Sequence, residues 1–421
     1  MDINELLKGL ECSCGKKHEC AIKYVFADNN AVSHLKDICK EFNHILIVAD
    51  ENTYKVAGSK TEKYLSDKNI SRQIFPGTSI LIPNESAIEA VQNKLNDIDL
   101  IIGIGSGVIQ DLCKYVSHSS GIPYYIVATA PSMDGYASSG AAMITDGMKV
   151  TYSAKVPDAI IADTSILKDA PTEMIKAGYG DIIGKYSALN DWKLGKIVNN
   201  EYFCPYVYDL TYDMLKKVLP LAKNLLKRDE KSIQILTEAL ILVGIAMSFA
   251  GNSRPASGSE HHLSHFFVIT GIIDNTEYLP HCIDVVFSTA ITSEIREKIL
   301  KSDFPKTQFV INPKTYKTEM ERTYKSVSAG CIQLQEKLGT YKEQRTLIYK
   351  EKESEIKEIL AECPAREDIE KILSEIELDI KDFYKTYSKE KISDAIHFAK
   401  DLKDRYTVLW MYYDMFGLEE I

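Results

Sequence analysis

The chain has 421 residues, of which 45% are hydrophobic and 26% charged, with 60 acidic against 50 basic side chains. This composition is that of an ordinary globular protein and excludes collagen-like, low-complexity and mostly disordered chains. The formal net charge of -10 opposes binding to nucleic acid or to an anionic membrane surface. The length favours two domains, and the lack of a secretory signal pattern predicts a cytoplasmic protein.

Near the amino terminus, the segment ECSCGKKHEC carries Cys12, Cys14, His18 and Cys20. Thiolates and imidazoles are zinc ligands, but this spacing is not one of the common finger spacings. The segment is therefore interpreted either as a small metal site or as an ordinary turn. The nine cysteines of the chain are expected to be reduced thiols, because their number is odd and no secreted context is visible.

Short β-branched runs alternate with amphipathic stretches over residues 1–165. Strands are predicted at residues 44–49, 73–76, 100–104, 124–128 and 159–162, with helices at 87–95 and 108–116 between them. Continuous apolar strands separated by helices indicate a parallel sheet that is covered on both faces. The predicted fold class is α/β, with a Rossmann-like nucleotide-binding domain over residues 1–170.

Helical periodicity dominates from residue 171 onward, and we predict an all-helical metal and substrate domain over residues 171–421. Helices are predicted at 214–226, 231–250 and 284–300, and Pro220 is expected to kink or split the first. The apolar run 239–250 is too short to cross a bilayer and is interpreted as a buried core helix, so we expect no membrane insertion. Residues 333–391 are dense in Glu and Lys, which predicts solvated helices with weak ion pairs.

The clearest ligand motif of the first half is GIGSGVIQD, where a predicted strand passes through Gly103, Gly105 and Gly107 into a helix. Glycines let the backbone approach a pyrophosphate, and the amides of a helix start favour anionic oxygens. The spacing is not the strict Gly-x-Gly-x-x-Gly pattern, so a tight turn without a ligand is the alternative. Asp50 follows the first predicted strand and is a candidate partner for a ribose hydroxyl, with a helix N-cap as the alternative.

A second candidate loop, VATAPSMDGYASSGAA, follows the strand predicted at 124–128. Long polar loops at the carboxyl ends of strands are where open α/β sheets bind ligands. Thr129, Ser132 and Ser138 offer hydroxyl groups, and Asp134 is a candidate partner for a polyol or triose hydroxyl. A surface turn is the alternative.

Four of the nine histidines, His261, His262, His265 and His281, lie between residues 261 and 281. On a helix His261 and His265 share one face, whereas His262 is turned about 100° away. A metal that acts as a Lewis acid needs about three protein ligands and an open position. Two imidazoles and a carboxylate meet that need, and Asp181 in GYGDIIGK is the candidate carboxylate. For each histidine alone, a core or surface residue is the alternative.

Together GSGVIQD, TAPSMDG, GYGDIIGK, SRPASGSEHHLSH and the later His281 resemble the glycerol-1-phosphate dehydrogenase family in its bacterial form. The resemblance runs from residue 43 to residue 414 and places the chain among the iron-type alcohol dehydrogenases, glycerol dehydrogenases and dehydroquinate synthases. It implies a homodimer that reversibly reduces dihydroxyacetone phosphate to sn-glycerol 1-phosphate with NAD(P)H and a metal, for phospholipid biosynthesis. The alternatives are a glycerol or other small-polyol dehydrogenase, a dehydroquinate synthase-like lyase and a non-catalytic sensor.

The resemblance also implies residue roles at the metal. Asp181, His261 and His281 would bind it, a donor set that suits zinc, nickel or iron(II). Asp181 and His265 would be the catalytic residues, and His262 is expected to take no part. The family usually has glycine after the last metal histidine, whereas this chain has Cys282, which would place a thiol beside the metal.

Substrate and cofactor residues complete these expectations. The substrate is expected at Asp134, Asp181 and His265, and Arg254 and Lys185 are the candidates for holding its phosphate. NAD(H) or NADP(H) is expected at Asp50, Gly105, Gly107, Val108, Ile109, Gln110, Asp111, Thr129, Ala130, Pro131, Ser132 and Ser138.

Overall fold

The computed structural model describes residues 3–145 and 148–419. The chain divides into two compact units, the first formed by residues 1–182 and 216–252 and the second by residues 183–215 and 253–421. This division by packing differs from a single boundary at residue 170, because the apolar helix 230–250 returns to the first unit. Its Gly244 lies against Ala137 there, so closely that a Cβ atom at residue 244 would come within 2.7 Å of the Ala137 Cβ. The nucleotide and metal roles of the two predicted domains stay predictions.

The described residues form ten strands, all in the first unit. They are β1 (Leu10–Glu11), β2 (Lys17–His18), β3 (Tyr24–Phe26), β4 (His44–Asp50), β5 (Asn69–Phe75), β6 (Leu100–Gly105), β7 (Tyr124–Ala128), β8 (Gly140–Thr145), β9 (Met148–Ser153) and β10 (Ala159–Ile161). Six of them form a sheet in the order β3-β10-β7-β6-β4-β5. All its pairs are parallel, which confirms the predicted parallel sheet. β1 with β2 and β8 with β9 form antiparallel hairpins.

The α-helices of the first 250 residues vary from single turns to a helix of 21 residues. They are α1 (Ile3–Leu7), α2 (Leu35–Ile38), α3 (Glu51–Thr53), α4 (Ser59–Lys63), α5 (Glu85–Gln92), α6 (Gly107–Ser120), α7 (Thr164–Leu167), α8 (Thr172–Ile183), α9 (Lys185–Asn199), α10 (Pro205–Val218), α11 (Ala222–Leu226) and α12 (Glu230–Ala250). A 3-10 turn at Leu219–Leu221 separates α10 from α11. Pro220 therefore splits the predicted helix, as expected from its missing N–H group.

The described remainder of the second unit contains helices and turns without strands, which confirms its predicted all-helical character. Its helices are α13 (Ser259–Asp274), α14 (His281–Leu300), α15 (Pro313–Tyr324), α16 (Ser328–Leu338), α17 (Thr346–Glu351), α18 (Glu353–Ala361), α19 (Arg366–Glu375), α20 (Ile380–Thr386), α21 (Lys389–Phe398) and α22 (Val408–Phe416). Ion pairs three or four residues apart run along α18 to α20, for example from Lys385 to Asp382 at 2.7 Å.

The central strands are buried on both faces, which explains their continuous apolar sequence. Residues 45–49, 100–105 and 124–128 are all buried. The edge strand β5 is exposed or only partly buried up to its last residue, so only its apolar end was recognisable in the sequence. The short edge strand β3 and both hairpins were not predicted.

The order of the strands reverses between β4 and β6. From β4 the chain passes to β5 on one side, and it then returns to place β6 and β7 on the other. The carboxyl ends of β4 and β6 therefore form a topological switch point, which is where open α/β sheets bind ligands. Asp50 ends β4 and Gly105 ends β6.

The helix α12 is long and apolar enough, by length and composition alone, to cross a membrane. Most of its apolar window is buried within the protein. The core helices of globular proteins pass the same test of length and composition. Its burial favours the predicted core helix over a membrane span.

A close approach of backbones fixes the loop that follows β7. A Cβ atom at Gly178 of α8 would lie 1.8 Å from the carbonyl oxygen of Pro131. We predict that Gly178→Ala lowers the free energy of unfolding by about 2–3 kcal/mol, because the backbone must move to accept the methyl group. Urea unfolding measures the change.

Gly330 in α16 is the matched control, because a Cβ atom there meets nothing within 4 Å. Gly330→Ala is expected to stabilise the protein by up to about 1 kcal/mol through helix propensity. Equal unfolding free energies for Gly178→Ala and the wild type would contradict the close packing described here.

Candidate active site

The glycine motif forms the turn between β6 and α6. β6 ends at Gly105 and α6 begins at Gly107, with Ser106 at its N-cap. A Cβ atom at Gly105 would lie 2.7 Å from the Ile109 Cβ, so glycine lets the helix pack onto the strand end. The first amides of this 14-residue helix lack intrahelical acceptors, and they lie at the switch point of the sheet.

Asp50 lies at the same edge of the sheet and caps α3. Its Oδ1 accepts a hydrogen bond from the Thr53 amide at 2.9 Å, while the Asp50 amide donates to the Thr53 hydroxyl at 3.1 Å. The N-cap interpretation of Asp50 is thus confirmed. A ribose contact from this carboxylate stays a prediction.

Two buried polar side chains of α6 hold the loop after β7. The Gln110 amide donates to the Gly135 carbonyl at 2.6 Å. The fully buried Lys114 ammonium donates to the Gly140 carbonyl at 2.7 Å and to the Ser138 hydroxyl at 3.3 Å. Burial lowers the pKa of Lys114. Gln110 and Ser138, both predicted cofactor residues, therefore have structural contacts within the protein, and Lys114 was not recognised in the sequence.

The remaining predicted cofactor residues lie along this loop and the start of α6. The Thr129 amide donates to the Gly105 carbonyl at 3.1 Å, which ties the end of β7 to the end of β6. Asp111 accepts from the Ala142 amide at 3.1 Å. The segment 129–132 is buried. The predicted residues thus gather at one edge of the sheet, and their contact with a cofactor stays a prediction.

The loop also brings two predicted carboxylate residues together. The backbone amide of Asp134 donates a hydrogen bond to Oδ2 of Asp181 at 2.9 Å. Asp181 lies on α8 and is 1% exposed. Such a carboxylate is oriented by the loop, as a metal or substrate ligand must be.

Three of the four clustered histidines lie together in the second unit. His261 and His265 lie on α13, and His281 is the first residue of α14. The His281 ring centroid is 5.2 Å from that of His261 and 5.1 Å from that of His265, and the latter two are 6.4 Å apart. The predicted helical register accounts for His261 and His265 on α13, and the start of α14 brings His281 beside them. Asp181 belongs to the other unit, so its joining with the histidines at a metal stays a prediction.

Hydrogen bonds orient two of these imidazoles. Nδ1 of His261 lies 2.7 Å from the carboxylate of the buried Glu260. The Ser264 hydroxyl donates to the His281 carbonyl at 3.1 Å, so its oxygen accepts from Nδ1 of His281 at 2.7 Å. Burial raises the pKa of the Glu260 carboxyl, whose oxygen also accepts from the Gly258 amide at 2.8 Å. With Glu260 ionised, Nδ1 carries the proton in both rings and Nε2 carries the lone pair. This is the arrangement that metal-binding histidines adopt.

His262 differs from its neighbours, as the helical register predicts. It is fully buried, and neither ring nitrogen has a hydrogen-bond partner in the part of the chain that the structure describes. Burial and the nearby cations of Lys403, Arg405 and Arg254 hold its pKa well below the usual range. His262 is therefore a neutral core residue.

A cluster of cations surrounds the segment before α13. The Lys403 ammonium donates to the Ser257 hydroxyl at 3.1 Å, and the Arg405 guanidinium donates to the Ser257 carbonyl at 3.0 Å. Burial and the charge of Arg254 lower the pKa of Arg405 to about 10. The Arg405 Nε is buried without a hydrogen-bond partner among the described residues. Cations gathered in this way favour an anionic ligand.

The two residues predicted to hold a phosphate have protein partners. Arg254 forms an ion pair with Glu201 and donates to the Tyr406 carbonyl at 2.7 Å. Lys185 is fully buried and donates to the Ala256 carbonyl at 3.1 Å. Arg254 thereby bonds to the backbone at Tyr406, and Lys185 bonds to the backbone at Ala256.

Several site residues were not recognised in the sequence. Glu260 and Ser264 lie within the histidine motif itself. The contact of Glu260 with His261 depends on how α13 begins, and the contact of Ser264 with His281 depends on where α14 begins. Lys403 and Arg405 are distant in sequence from that motif. The sequence feature that could have drawn attention to these two cations is the run KDR at residues 403–405.

Comparisons with known proteins agree with this architecture. The family described as iron-containing alcohol dehydrogenase matches residues 26–171. The solved structure of an iron-containing alcohol dehydrogenase from Thermococcus thioreducens aligns with a TM-score of 0.60 and 15% identity, covering 90% of each chain. The fold is therefore that of the iron-type alcohol dehydrogenases, a class of oxidoreductases.

Relatives with curated names identify one family within this class of oxidoreductases. A glycerol-1-phosphate dehydrogenase from Halalkalibacterium halodurans is 35% identical over 70% of this chain and 79% of its own length. One from Geobacillus stearothermophilus is 30% identical over 81% of this chain and 86% of its own. The chain belongs to the glycerol-1-phosphate dehydrogenase family, which confirms the resemblance seen in the motifs.

Proposed function

We propose that this protein catalyses the metal-dependent, NAD(P)H-linked reduction of dihydroxyacetone phosphate to sn-glycerol 1-phosphate, and the reverse reaction. The observation that carries the proposal is the group formed by His261, His265 and His281, with two rings oriented through Nδ1. The relatives support it, since they are named as glycerol-1-phosphate dehydrogenases that use NAD(P)+.

The proposed metal ligands are Asp181, His261 and His281. The fit is supported by the hydrogen bonds that orient these side chains, from the Asp134 amide to Asp181 and between each Nδ1 and its oxygen partner. One carboxylate and two imidazoles suit zinc, nickel or iron(II). When bound, a divalent cation polarises the ketone oxygen of the substrate and stabilises the charge that develops there.

Glu260→Gln is predicted to weaken metal binding by about 10–100-fold, the usual effect of losing a partner of a metal-binding histidine. The amide keeps the shape of the carboxylate but removes the negative charge behind His261. Titration of metal-stripped protein with zinc or nickel measures the affinity.

The exposed Glu358 of α18 is the matched control for the same substitution. Glu358→Gln is expected to bind the metal as the wild type does. An unchanged affinity in Glu260→Gln would show that Glu260 does not orient a metal ligand.

The nicotinamide cofactor, which supplies the hydride, is proposed to lie along the switch point of the sheet. The amides of Gly107, Val108 and Ile109 at the start of α6 are proposed to bind its pyrophosphate. Asp50 remains the proposed ribose contact, in addition to its role as N-cap. The other proposed contacts are the predicted cofactor residues at Gly105, at 110–111 and in the loop 129–138.

The substrate phosphate is proposed to bind the cations of Arg254, Lys403 and Arg405. The support is the lowered pKa of Arg405 and the buried Nε without a partner among the described residues. An anion would offset the repulsion among these cations and supply the missing acceptor. Lys185 is proposed to act indirectly, by holding the Ala256 carbonyl.

The reacting end of the substrate is proposed to contact Asp134, Asp181 and His265. His265 lies beside both proposed histidine ligands, and its imidazole is proposed to deliver a proton to the substrate oxygen. Asp134 is proposed to accept a hydrogen bond from the substrate hydroxyl. Cys282 is buried next to His281 in sequence and is proposed to have no part in the proton transfer.

The family resemblance supports three further proposals about the context of the reaction. The protein is proposed to be a cytoplasmic homodimer. Its product would enter phospholipid biosynthesis, because glycerol phosphate is the backbone of phospholipids. Light scattering of the purified protein tests the dimer.

A metal-replacement assay tests the proposed function. The protein is stripped with a chelator, reloaded separately with zinc, nickel or iron(II), and supplied with dihydroxyacetone phosphate and NADH or NADPH. We expect oxidation of the cofactor to be lost on stripping and restored by at least one metal. Full activity in the stripped protein would contradict the proposal.

A further inference from the structure

We propose that the amino-terminal hairpin of β1 and β2 binds a zinc ion through Cys12, Cys14 and His18. The site is independent of the proposed function. It would be a structural site, because its ligands lie in a hairpin outside the parallel sheet and belong to a different unit from the histidine group of α13 and α14.

The ligand atoms have the spacing that zinc requires. The sulfur atoms of Cys12 and Cys14 and a ring nitrogen of His18 all lie within 4.8 Å of one another. Cys14 Sγ is 3.5 Å from His18 Nε2. Tetrahedral zinc with bonds of about 2.3 Å to sulfur and about 2.0 Å to nitrogen separates such ligands by about 3.5 Å. The hairpin therefore supplies three of the four ligands that structural zinc takes.

His18 is oriented as a metal ligand. It is fully buried, and its Nδ1 lies 2.8 Å from the Phe249 carbonyl oxygen of α12. A carbonyl only accepts, so Nδ1 carries the proton and Nε2 presents its lone pair toward Cys14. The ring also stacks on the Phe249 ring, with centroids 5.3 Å apart. These contacts fix the imidazole before any metal binds.

The turn of the hairpin brings the two cysteines together. The Gly15 amide donates to the Cys12 carbonyl at 3.0 Å, and the Cys12 amide donates to the Lys16 carbonyl at 3.2 Å. Gly15 has a φ of 85°, which glycine adopts without strain. A hairpin with strands of two residues is marginal by itself, so a bound metal would stabilise it.

Cys20 is a matched control within the same segment. Its thiol bonds to the Ser248 side chain and to the backbone of Ile22, and burial raises its pKa. These contacts place it outside the proposed ligand set. The sequence motif therefore divides into three proposed ligands and one structural cysteine.

Metal content tests the proposal in the full-length protein. Wild type, Cys12→Ser, Cys14→Ser and Cys20→Ser are purified under reducing conditions, and zinc per chain is measured by elemental analysis. We expect Cys12→Ser and Cys14→Ser each to lose one equivalent of zinc relative to wild type and to Cys20→Ser. Equal zinc content in all four proteins would overturn the proposal.

Cobalt substitution separates this site from the proposed catalytic metal. Wild type and His261→Ala loaded with cobalt(II) are expected to show thiolate-to-cobalt charge-transfer absorption, which Cys14→Ser loses. Loss of that absorption in His261→Ala alone would overturn the assignment to the hairpin.

Zinc release can be measured on the wild type, so this test does not depend on whether the cysteine variants fold. A mercurial reagent that modifies thiols is expected to release zinc in proportion to the thiols modified, and a failure to release zinc would also overturn the proposal.

Discussion

His261→Ala is expected to lower kcat/KM for dihydroxyacetone phosphate by about 1000-fold or more. The stabilisation of charge by a Lewis-acid metal is worth several kcal/mol, and each 1.4 kcal/mol corresponds to a factor of ten in rate. The effect should be this large because His261 is a proposed metal ligand whose Nδ1 lies 2.7 Å from the Glu260 carboxylate, which would orient the ring. Steady-state oxidation of NADH or NADPH measures it, with circular dichroism to check the fold.

His262→Leu is the control for this prediction. His262 is the next residue of the same helix and is buried without a hydrogen-bond partner among the described residues. Leucine fills a similar volume, so this variant should keep most of the activity. Unchanged turnover in a folded His261→Ala protein would remove the metal assignment. Loss of turnover in the folded His261→Ala protein would exclude the alternative that the protein is a non-catalytic sensor.

Arg405→Met is expected to raise KM for dihydroxyacetone phosphate by about 10–100-fold. A hydrogen bond to a charged group contributes about 1.5–3 kcal/mol, and 1.4 kcal/mol is a factor of ten in affinity. Methionine keeps much of the apolar stem and removes the guanidinium, whose Nε is buried without a partner among the described residues. Initial rates at varied substrate concentration measure the change.

Activity on unphosphorylated dihydroxyacetone is the internal control for Arg405→Met. Dihydroxyacetone lacks the phosphate group, so Arg405→Met should leave kcat/KM for this substrate nearly unchanged. Arg405→Lys keeps the charge and should recover part of the affinity for the phosphorylated substrate. Equal losses for both substrates would contradict a phosphate contact and indicate a structural role for Arg405.

The sheet was predictable from sequence where its strands are buried on both faces. The segments HILIVA, LIIGI and YYIVA are continuous apolar runs and correspond to the central strands β4, β6 and β7. The edge strands lack that signal, because an exposed strand needs few apolar residues. The three residues of β3 are too few to show any period. The return of α12 to the first unit depends on packing between distant segments, which no local pattern records.

The pairing of His261 with His265 was predictable because their spacing is a local property of a helix. Residues four apart share a face, and His261 and His265 do so. The partners of these rings were not predictable, since Ser264 meets His281 only where α14 begins beside α13. The cations were missed for the same reason, because Lys403 and Arg405 reach Ser257 across 146 and 148 residues of sequence.

The ratio of kcat/KM for dihydroxyacetone phosphate to that for dihydroxyacetone, measured with the metal-loaded wild type, tests the central proposal most directly. The proposed phosphate contacts predict that the phosphorylated substrate is preferred by about 100-fold or more, from charge-assisted hydrogen bonds worth about 3 kcal/mol. Reduction of dihydroxyacetone alone would contradict the account and indicate a small-polyol dehydrogenase instead.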